Sequence, residues 1–391
     1  MTGTRSYEFA RRWVAKGHKV TMLTSTANLT SEDLAQAHGR FFKKFTVDGI
    51  DVMAMAVPYR QQMSVFKRGL SFLAFLLLSS GVVLFTRKPD IVYATSTPLT
   101  VGVPCLFGKW LRKIPFVFEV RDQWPEIPIE LGIIKNKVFI KFLLWLEKTI
   151  YKNSSAIIAG SPGQADGIKN VYSSKRSIVI PNSCDIDTFT PAIDGSEIRQ
   201  KYGWQNKLVF LHAGAMGKVN GLEFVVDVAK NLRNLPDIRF VLLGDGNQKQ
   251  RLEEKIKSLN LNNIEILPSV SKKDIPVFFA AANVGLVIIG NYPIIEHNSA
   301  NKFFDSLSAG KPVLLNYSGW QRELLETAEA GLGCKLCDVD EFTEKVMYFR
   351  DNRGKLAEMG RNSRRLAEEK FDRNKLAQQA LDVVSDTTRQ N

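Results

Sequence analysis

Apolar positions recur along this chain at two alternating spacings. In "SYEFARRWVAKGH" (residues 6–18) Tyr7, Ala10, Trp13 and Val14 fall on one face of a 3.6-residue period, which predicts an amphipathic helix ending near Gly17. "KVTMLTS" (19–25), "DIVYATS" (90–96), "PFVFEV" (115–120) and "SAIIAGS" (155–161) are short apolar runs bounded by turn formers. Helical stretches separate them, as a parallel doubly wound sheet requires. The second half repeats the rhythm with "LVFLHAG" (208–214), "IRFVLLGDG" (238–246), "IEILPSV" (264–270), "VGLVIIG" (284–290), "KPVLLN" (311–316) and a weaker "GLGCKL" (331–336). Helices such as "GLEFVVDVAKNLRNL" (221–235) and "QKQRLEEKIKSLN" (248–260) lie between them. The expectation is an α/β protein of two successive Rossmann-like units. "SIVIPNSCDIDTFTPAIDG" (177–195), rich in turn formers, reads as their connection, with the boundary near residues 180–195. The length of 391 residues agrees, because single cores stop growing at roughly 250 to 300 residues.

The opening is anomalous. A doubly wound unit starts with a central strand and then a Gly-rich turn, whereas "MTGTRSYEF" begins in the turn, so the first strand is expected to be missing.

Charge narrows the partners. A formal net charge of +13 points to nucleic acid, anionic lipid or phosphorylated metabolites. The basic residues are dispersed, without a finger motif or aromatic interleaving, which argues against nucleic acid. Four cysteines form no disulfide framework, and Cys334 and Cys337 have no second pair to complete a zinc site. They read as ordinary thiols of a cytoplasmic protein, and no metal is expected. "LSFLAFLLLSSGVVLF" (70–85) is 16 residues of apolar sequence, short for a span of ~20, flanked by Arg60, Lys67, Arg68, Arg87 and Lys88. Two readings stay open: a helix lying on anionic headgroups, or a core helix with solvated ends.

Candidate chemistry gathers in the second unit. A helix starting near Asn301 would offer free N–H groups and a positive dipole end to a diphosphate, with Ser299, Asn301 and Lys302 as further donors. Asp305, four residues after Asn301, would lie one turn deeper and accept from a ribose diol. The plainer alternative makes Asn301 an N-cap and Asp305 a solvated side chain. "HAGAMGKVNGLEF" (212–224) places Gly214, Gly217 and Gly221 between a strand and a helix, where backbone can approach a phosphate and Lys218 supplies charge. "LLGDGNQ" (242–248) repeats the turn with Gly244 and Gly246.

These motifs, in this order, resemble the retaining glycosyltransferases of the two-Rossmann GT-B fold, over essentially the whole chain. "GTRSYEFARRWVAKGHKVTMLTS" (3–25) looks like that family's glycine loop, first helix and second strand. "PNSCDIDTF" (181–189), "LLGDG", "ILPSVSKKDIPVFFAAANVGLVII" (266–289) and "NKFFDSLSAGKPV" (301–313) follow in family order. "EVRDQWPE" (119–126) is similar to the fucosamine-transferase-like branch that builds bacterial surface polysaccharides.

The resemblance implies two Rossmann-like domains facing an interdomain cleft: residues 1–185 for the acceptor, 186–370 for the nucleotide-sugar, and a C-terminal helix, 371–391, returning to the first domain. It implies a nucleotide-sugar donor, often UDP-linked, and a polyprenyl-diphosphate-linked glycan as acceptor, at the inner face of the plasma membrane. Gly214, Gly217, Lys218, Gly244, Leu267, Ser299, Asn301, Lys302 and Asp305 would bind donor. Gly3, Thr4, Arg121 and Asp122 would bind acceptor, with Asp122, Glu119 and Lys218 the catalytic candidates and no cofactor required. Retention would come from front-face attack, the leaving phosphate taking the acceptor proton, with charge stabilised electrostatically. Several positions depart from the pattern. The family's Arg and Lys of the phosphate loop fall on Ala215 and Asn220, the first acid of its Glu-x7-Glu pair falls on His297 beside Glu296, and Arg121 stands where a His precedes the acceptor-site Asp. A guanidinium stays protonated and cannot serve as a base, so Arg121 would bind rather than catalyse. Two rivals remain: a UDP-N-acetylhexosamine epimerase of the same fold, and a non-catalytic scaffold of polysaccharide assembly.

Overall fold

The computed structural model describes residues 4–39, 42–58 and 63–389. The chain divides into two compact units, one running to Pro181 and resuming at Asn374, the other Asn182–Arg373.

In the first unit the elements are α1 (Arg5–Ala15), β1 (Thr21–Ser25), α2 (Ser31–Gln36), β2 (Phe42–Val47), β3 (Ile50–Met55), α3 (Val65–Phe85), β4 (Val92–Thr95), α4 (Gly102–Arg112), β5 (Phe116–Val120), α5 (Glu126–Glu130), α6 (Lys137–Asn153), β6 (Ala156–Ala159), α7 (Pro162–Val171) and β7 (Ser177–Val179). Instead of one sheet there are two. Strands β4-β5-β6-β7 are all parallel, Val92 facing Phe116 and Val117 facing Ala156. Every residue of β5 is buried, because helices cover both faces of a parallel sheet. The smaller sheet has the order β1-β3-β2, with β2 antiparallel to β3. Its hairpin turns at Asp48 and Gly49, both at positive φ (46° and 75°), which is the Asp-Gly chemistry that two-residue hairpins use. Among the described residues no strand precedes α1.

Two expectations are corrected. Residues 177–179, expected in the connection, form the edge strand β7, pairing Ile157 with Ser177. The apolar run of 16 residues belongs to the 21-residue α3, because Lys67 and Arg68 extend its first turn rather than interrupting it. From Phe66 to Phe85 this helix is long and apolar enough to cross a membrane by length and composition, and only 17 % of it is buried. It is not a core helix. Ser79, Ser80 and Val83 are its buried residues, the Val83 carbonyl accepting from Arg112 of α4 at 2.6 Å, while Phe66, Leu70, Leu73 and Leu77 form an exposed stripe at helical spacing. Arg60 of the basic flank lies outside the described residues.

The second unit holds α8 (Ser196–Lys201), β8 (Leu208–Ala213), α9 (Glu223–Asn231), β9 (Ile238–Leu243), α10 (Lys249–Ser258), β10 (Ile264–Leu267), α11 (Ile275–Ala281), β11 (Val284–Val287), α12 (Asn301–Ser308), β12 (Val313–Leu315), α13 (Trp320–Thr327), β13 (Gly331–Gly333), α14 (Val339–Asp351) and α15 (Leu356–Leu366). Its six parallel strands take the order β10-β9-β8-β11-β12-β13, with the topological switch between β8 and β11. Phe210, Phe240, Leu286 and Leu314 from the sheet pack with Val225 and Phe342 from the helices in one core. The last helix, α16 (Arg373–Arg389), belongs from Asn374 onward to the first unit, where Trp13 donates its indole N–H to the Ala377 carbonyl at 2.9 Å.

Candidate active site

At the carboxyl ends of β8 and β9, glycine backbone replaces side chains. Gly214, directly after β8, has φ of 156°, and a Cβ there would meet the Lys302 Nζ at 3.4 Å. Gly244, after β9, has φ of 150°, and its Cβ would fall 2.0 Å from the Gly214 carbonyl oxygen, so no other residue fits this turn. Gly217 caps a 3-10 turn at Lys218–Asn220 whose exposed Lys218 heads the loop. Leu267, at the end of β10, contributes its carbonyl to the Gly244 N–H at 3.1 Å while its side chain is in the core.

Helix α12 begins at Asn301 behind Ala300, and no side chain caps it. Asn301 is therefore the exposed first helical residue, not the N-cap, and the first-turn N–H groups have no side-chain acceptor. Two bonds brace the approach: the Asn182 N–H donates to Ser299 Oγ at 3.1 Å and the Asn182 Nδ2 to the Ser299 carbonyl at 2.5 Å. Ser308, at the far end, donates to the Phe189 carbonyl at 2.7 Å. The "PNSCDIDTF" segment thus holds α12 at both ends.

Lys302 turns toward the β8 loop. Its Nζ lies 3.4 Å from Nε2 of His212 and donates to Oδ1 of Asn220 at 3.3 Å. A cation carried by α12 thus reaches the side chain of loop residue Asn220. Burial pushes the Lys302 ammonium down to about 8. His212 is fully buried, and burial followed by the Lys302 charge depresses it well below its usual range, so it is neutral and receives the lysine rather than repelling it. Burial pushes the Asp305 carboxyl up to about 7; Asp185 adds to the rise, while Arg373 and Lys272 oppose it. Asp305 makes no hydrogen bond or ion pair through its side chain among the described residues, whereas Asp185 is paired with Arg373 at 3.2 Å. His212 is absent from the sequence reading; its only signal is a polar residue inside the apolar run "LVFLHAG".

The first-unit candidates divide. Gly3 lies outside the described residues. Thr4 caps α1, accepting from the Tyr7 N–H at 3.4 Å. Glu119 is 1 % exposed and turned inward, bound to Arg5 Nε at 2.6 Å; burial raises its carboxyl, but Arg5 and Arg121 overcome this and hold it below the usual range. Arg5 also donates to the carbonyls of Ile180 and Pro181, at 2.8 and 2.5 Å. Glu119 is thus spent on fastening α1 to the sheet. Asp122 is half-buried beyond the end of β5 and accepts from the Thr97 hydroxyl at 2.9 Å, and Arg121 beside it is likewise half-buried.

Residues 2–183 match the family described as "Glycosyl transferase 4-like domain" and residues 194–366 that described as "Glycosyl transferases group 1". These two matches, on a chain of two Rossmann-like units, make this a GT-B glycosyltransferase. Within that class the chain belongs to the family 4 type. It is 23 % identical over 299 residues, 74 % of this chain and 73 % of the other, to WcaI, a glycosyl transferase assigned to colanic acid biosynthesis in Escherichia coli K12. It is 25 % identical over 193 residues, 48 % of each chain, to the Escherichia coli UDP-Gal:α-D-GlcNAc-diphosphoundecaprenol α-1,3-galactosyltransferase. Anabaena Alr3699/HepE, solved in complex with UDP, superposes with a TM-score of 0.68 at 19 % identity, over 94 % of this chain and 100 % of that one.

Proposed function

We propose that this enzyme transfers a sugar, with retention of configuration, from a UDP-sugar to a polyprenyl-diphosphate-linked glycan during synthesis of a bacterial surface polysaccharide such as O-antigen or capsule. The observation that carries the reading is the Lys302 ammonium, held between His212 and Asn220 at the mouth of an uncapped helix and against Gly214. Helix N–H groups, Lys302 and Lys218 together would balance the charge of a departing diphosphate without a nucleophile from the protein. Asp305 would meet the ribose. A UDP-bound fold relative and a relative acting on a diphosphoundecaprenol-linked sugar support donor and acceptor class respectively.

In the first unit Asp122 and Arg121 would orient the acceptor, with Glu119 acting through Arg5 as a positioning residue. The exposed stripe of α3 suits a protein that lies on the inner face of the plasma membrane, where a polyprenyl diphosphate resides. Incubation with UDP-, GDP- and dTDP-sugars and a polyprenyl-diphosphate-linked saccharide, read by mass spectrometry, tests this. One added glycosyl unit from a UDP-sugar is expected. Epimerised UDP-N-acetylhexosamine without acceptor would replace the transferase reading, and absence of nucleotide binding would favour a scaffold.

A further inference from the structure

Exposed large apolar side chains concentrate on three neighbouring helices of the first unit. Helix α4 packs against both α3 and α6, and Trp110 of α4 donates to Asn153 Oδ1 of α6 at 3.0 Å. Right-handed crossovers between the parallel neighbours β4, β5 and β6 put α4 and α6 on the same face of the sheet. Helix α6 is two-sided. Leu143, Leu146, Ile150 and Tyr151 are buried, and the opposite face exposes Val138, Phe142 and Trp145, with Trp145 58 % exposed. Phe139, Phe142 and Trp145 form a continuous row, with ring centroids 6.4 and 5.9 Å apart.

Charge identifies what covers this face. Lys137, Lys141, Lys148 and Lys152 interleave with the aromatic row, and the helix's single acid, Glu147, is turned into the core at 2 % exposure. Helices α3 and α4 carry no acidic residue and contribute Lys67, Arg68, Lys109 and Arg112. An apolar face whose own three helices expose only cations complements a surface that is apolar inside and anionic at its rim, and indole and phenyl rings settle at that boundary. The first turn of α6 lies on the side of the sheet where β5 ends, the side that also carries Asp122, because a crossover helix starts beyond the carboxyl end of its strand.

We propose that α6, together with the end of α4, is a second membrane-docking element, seated on an anionic phospholipid bilayer beside α3. This extends the membrane-side reading of α3 to residues that reading does not use. Its consequence is that the acceptor edge is held at headgroup depth, where a lipid-linked diphosphate sugar is presented.

Co-flotation of the full chain with vesicles tests it, comparing phosphatidylcholine alone with three parts phosphatidylcholine to one of phosphatidylglycerol. The variants are Phe139→Ser/Phe142→Ser/Trp145→Ser on α6 and Leu73→Ser/Leu77→Ser on α3, all at exposed positions. Wild type is expected to bind the anionic vesicles in preference to the neutral ones, and the α6 variant to lose roughly tenfold or more of that partitioning with UDP affinity unchanged. An α6 variant that floats like wild type would overturn the proposal; loss in the α3 variant alone would then leave the α3 reading standing. Wild type that ignores lipid charge, or that is a dimer which the α6 substitutions split into monomers, would equally overturn it, the latter in favour of self-association.

Discussion

Burial holds the Lys302 ammonium at about 8, so pH decides how much charge it brings to a diphosphate. The titratable group facing it is His212, already neutral, and no carboxylate is paired with it among the described residues. A bound diphosphate favours the protonated lysine. The Lys302 contribution to UDP affinity is therefore expected to be level below about pH 8 and to fall above it, by up to roughly tenfold per unit. Calorimetry across that range would show the fall in wild type and none in Lys302→Met. Asp305→Asn should weaken uridine as well as UDP, since its proposed partner is the ribose; unchanged uridine affinity would remove that role. Glu147 makes an opposite kind of statement, about stability. Burial, with the Glu126 carboxylate adding to it, pushes its carboxyl up to about 8, so the folded chain keeps a proton that the unfolded chain has lost above its ordinary value. Its contribution to stability is complete below the unfolded pKa and is lost as pH rises toward 8, by at most ~1.4 kcal/mol per unit. Urea unfolding of Glu147→Gln should show that slope removed.

At the scale of elements, the glycine turns are the most demanding feature. A methyl group on Gly244 has nowhere to go but into the Gly214 carbonyl, and its φ of 150° adds strain. Gly244→Ala should cost about 1 to 3 kcal/mol in stability and weaken UDP binding as the β8 turn shifts; thermal unfolding and titration on one sample read both. These turns are legible in the sequence because a glycine between an apolar run and a helical period marks the place where a strand hands over to a helix. The start of α12 is legible because the polar pair Asn298 and Ser299 precedes a helical period, and the six-stranded sheet is legible from its alternating apolar runs. The β2–β3 hairpin escapes although "VDGID" carries its turn signal, because expecting parallel crossovers hides a local antiparallel pair. The full length of α3 escapes because lysine and arginine read as flanks, although long cationic side chains in a first turn reach solvent without breaking a helix. Nothing in the local pattern pairs Lys302 with His212, 90 residues away, or fastens Glu119 to Arg5, 114 residues away. Such partners come from sheet order, which one strand's composition does not encode.

Over the whole molecule, the features proposed to bind the diphosphate, the glycine turns and α12, are all within Asn182–Arg373, and the basic apolar helices are all in the unit that begins the chain and reclaims it at Asn374. The proposed donor binding and the proposed membrane docking are therefore expected to be separable by substitution. What would join them chemically is the transfer itself, whose charge the proposal places at the α12 mouth. The most direct measurement is calorimetric titration of UDP into wild type and Lys302→Met at neutral pH. The account predicts measurable UDP binding that drops by about 1.5 to 3 kcal/mol when the ammonium is replaced by a thioether of similar length. Equal affinity in the two proteins would contradict it.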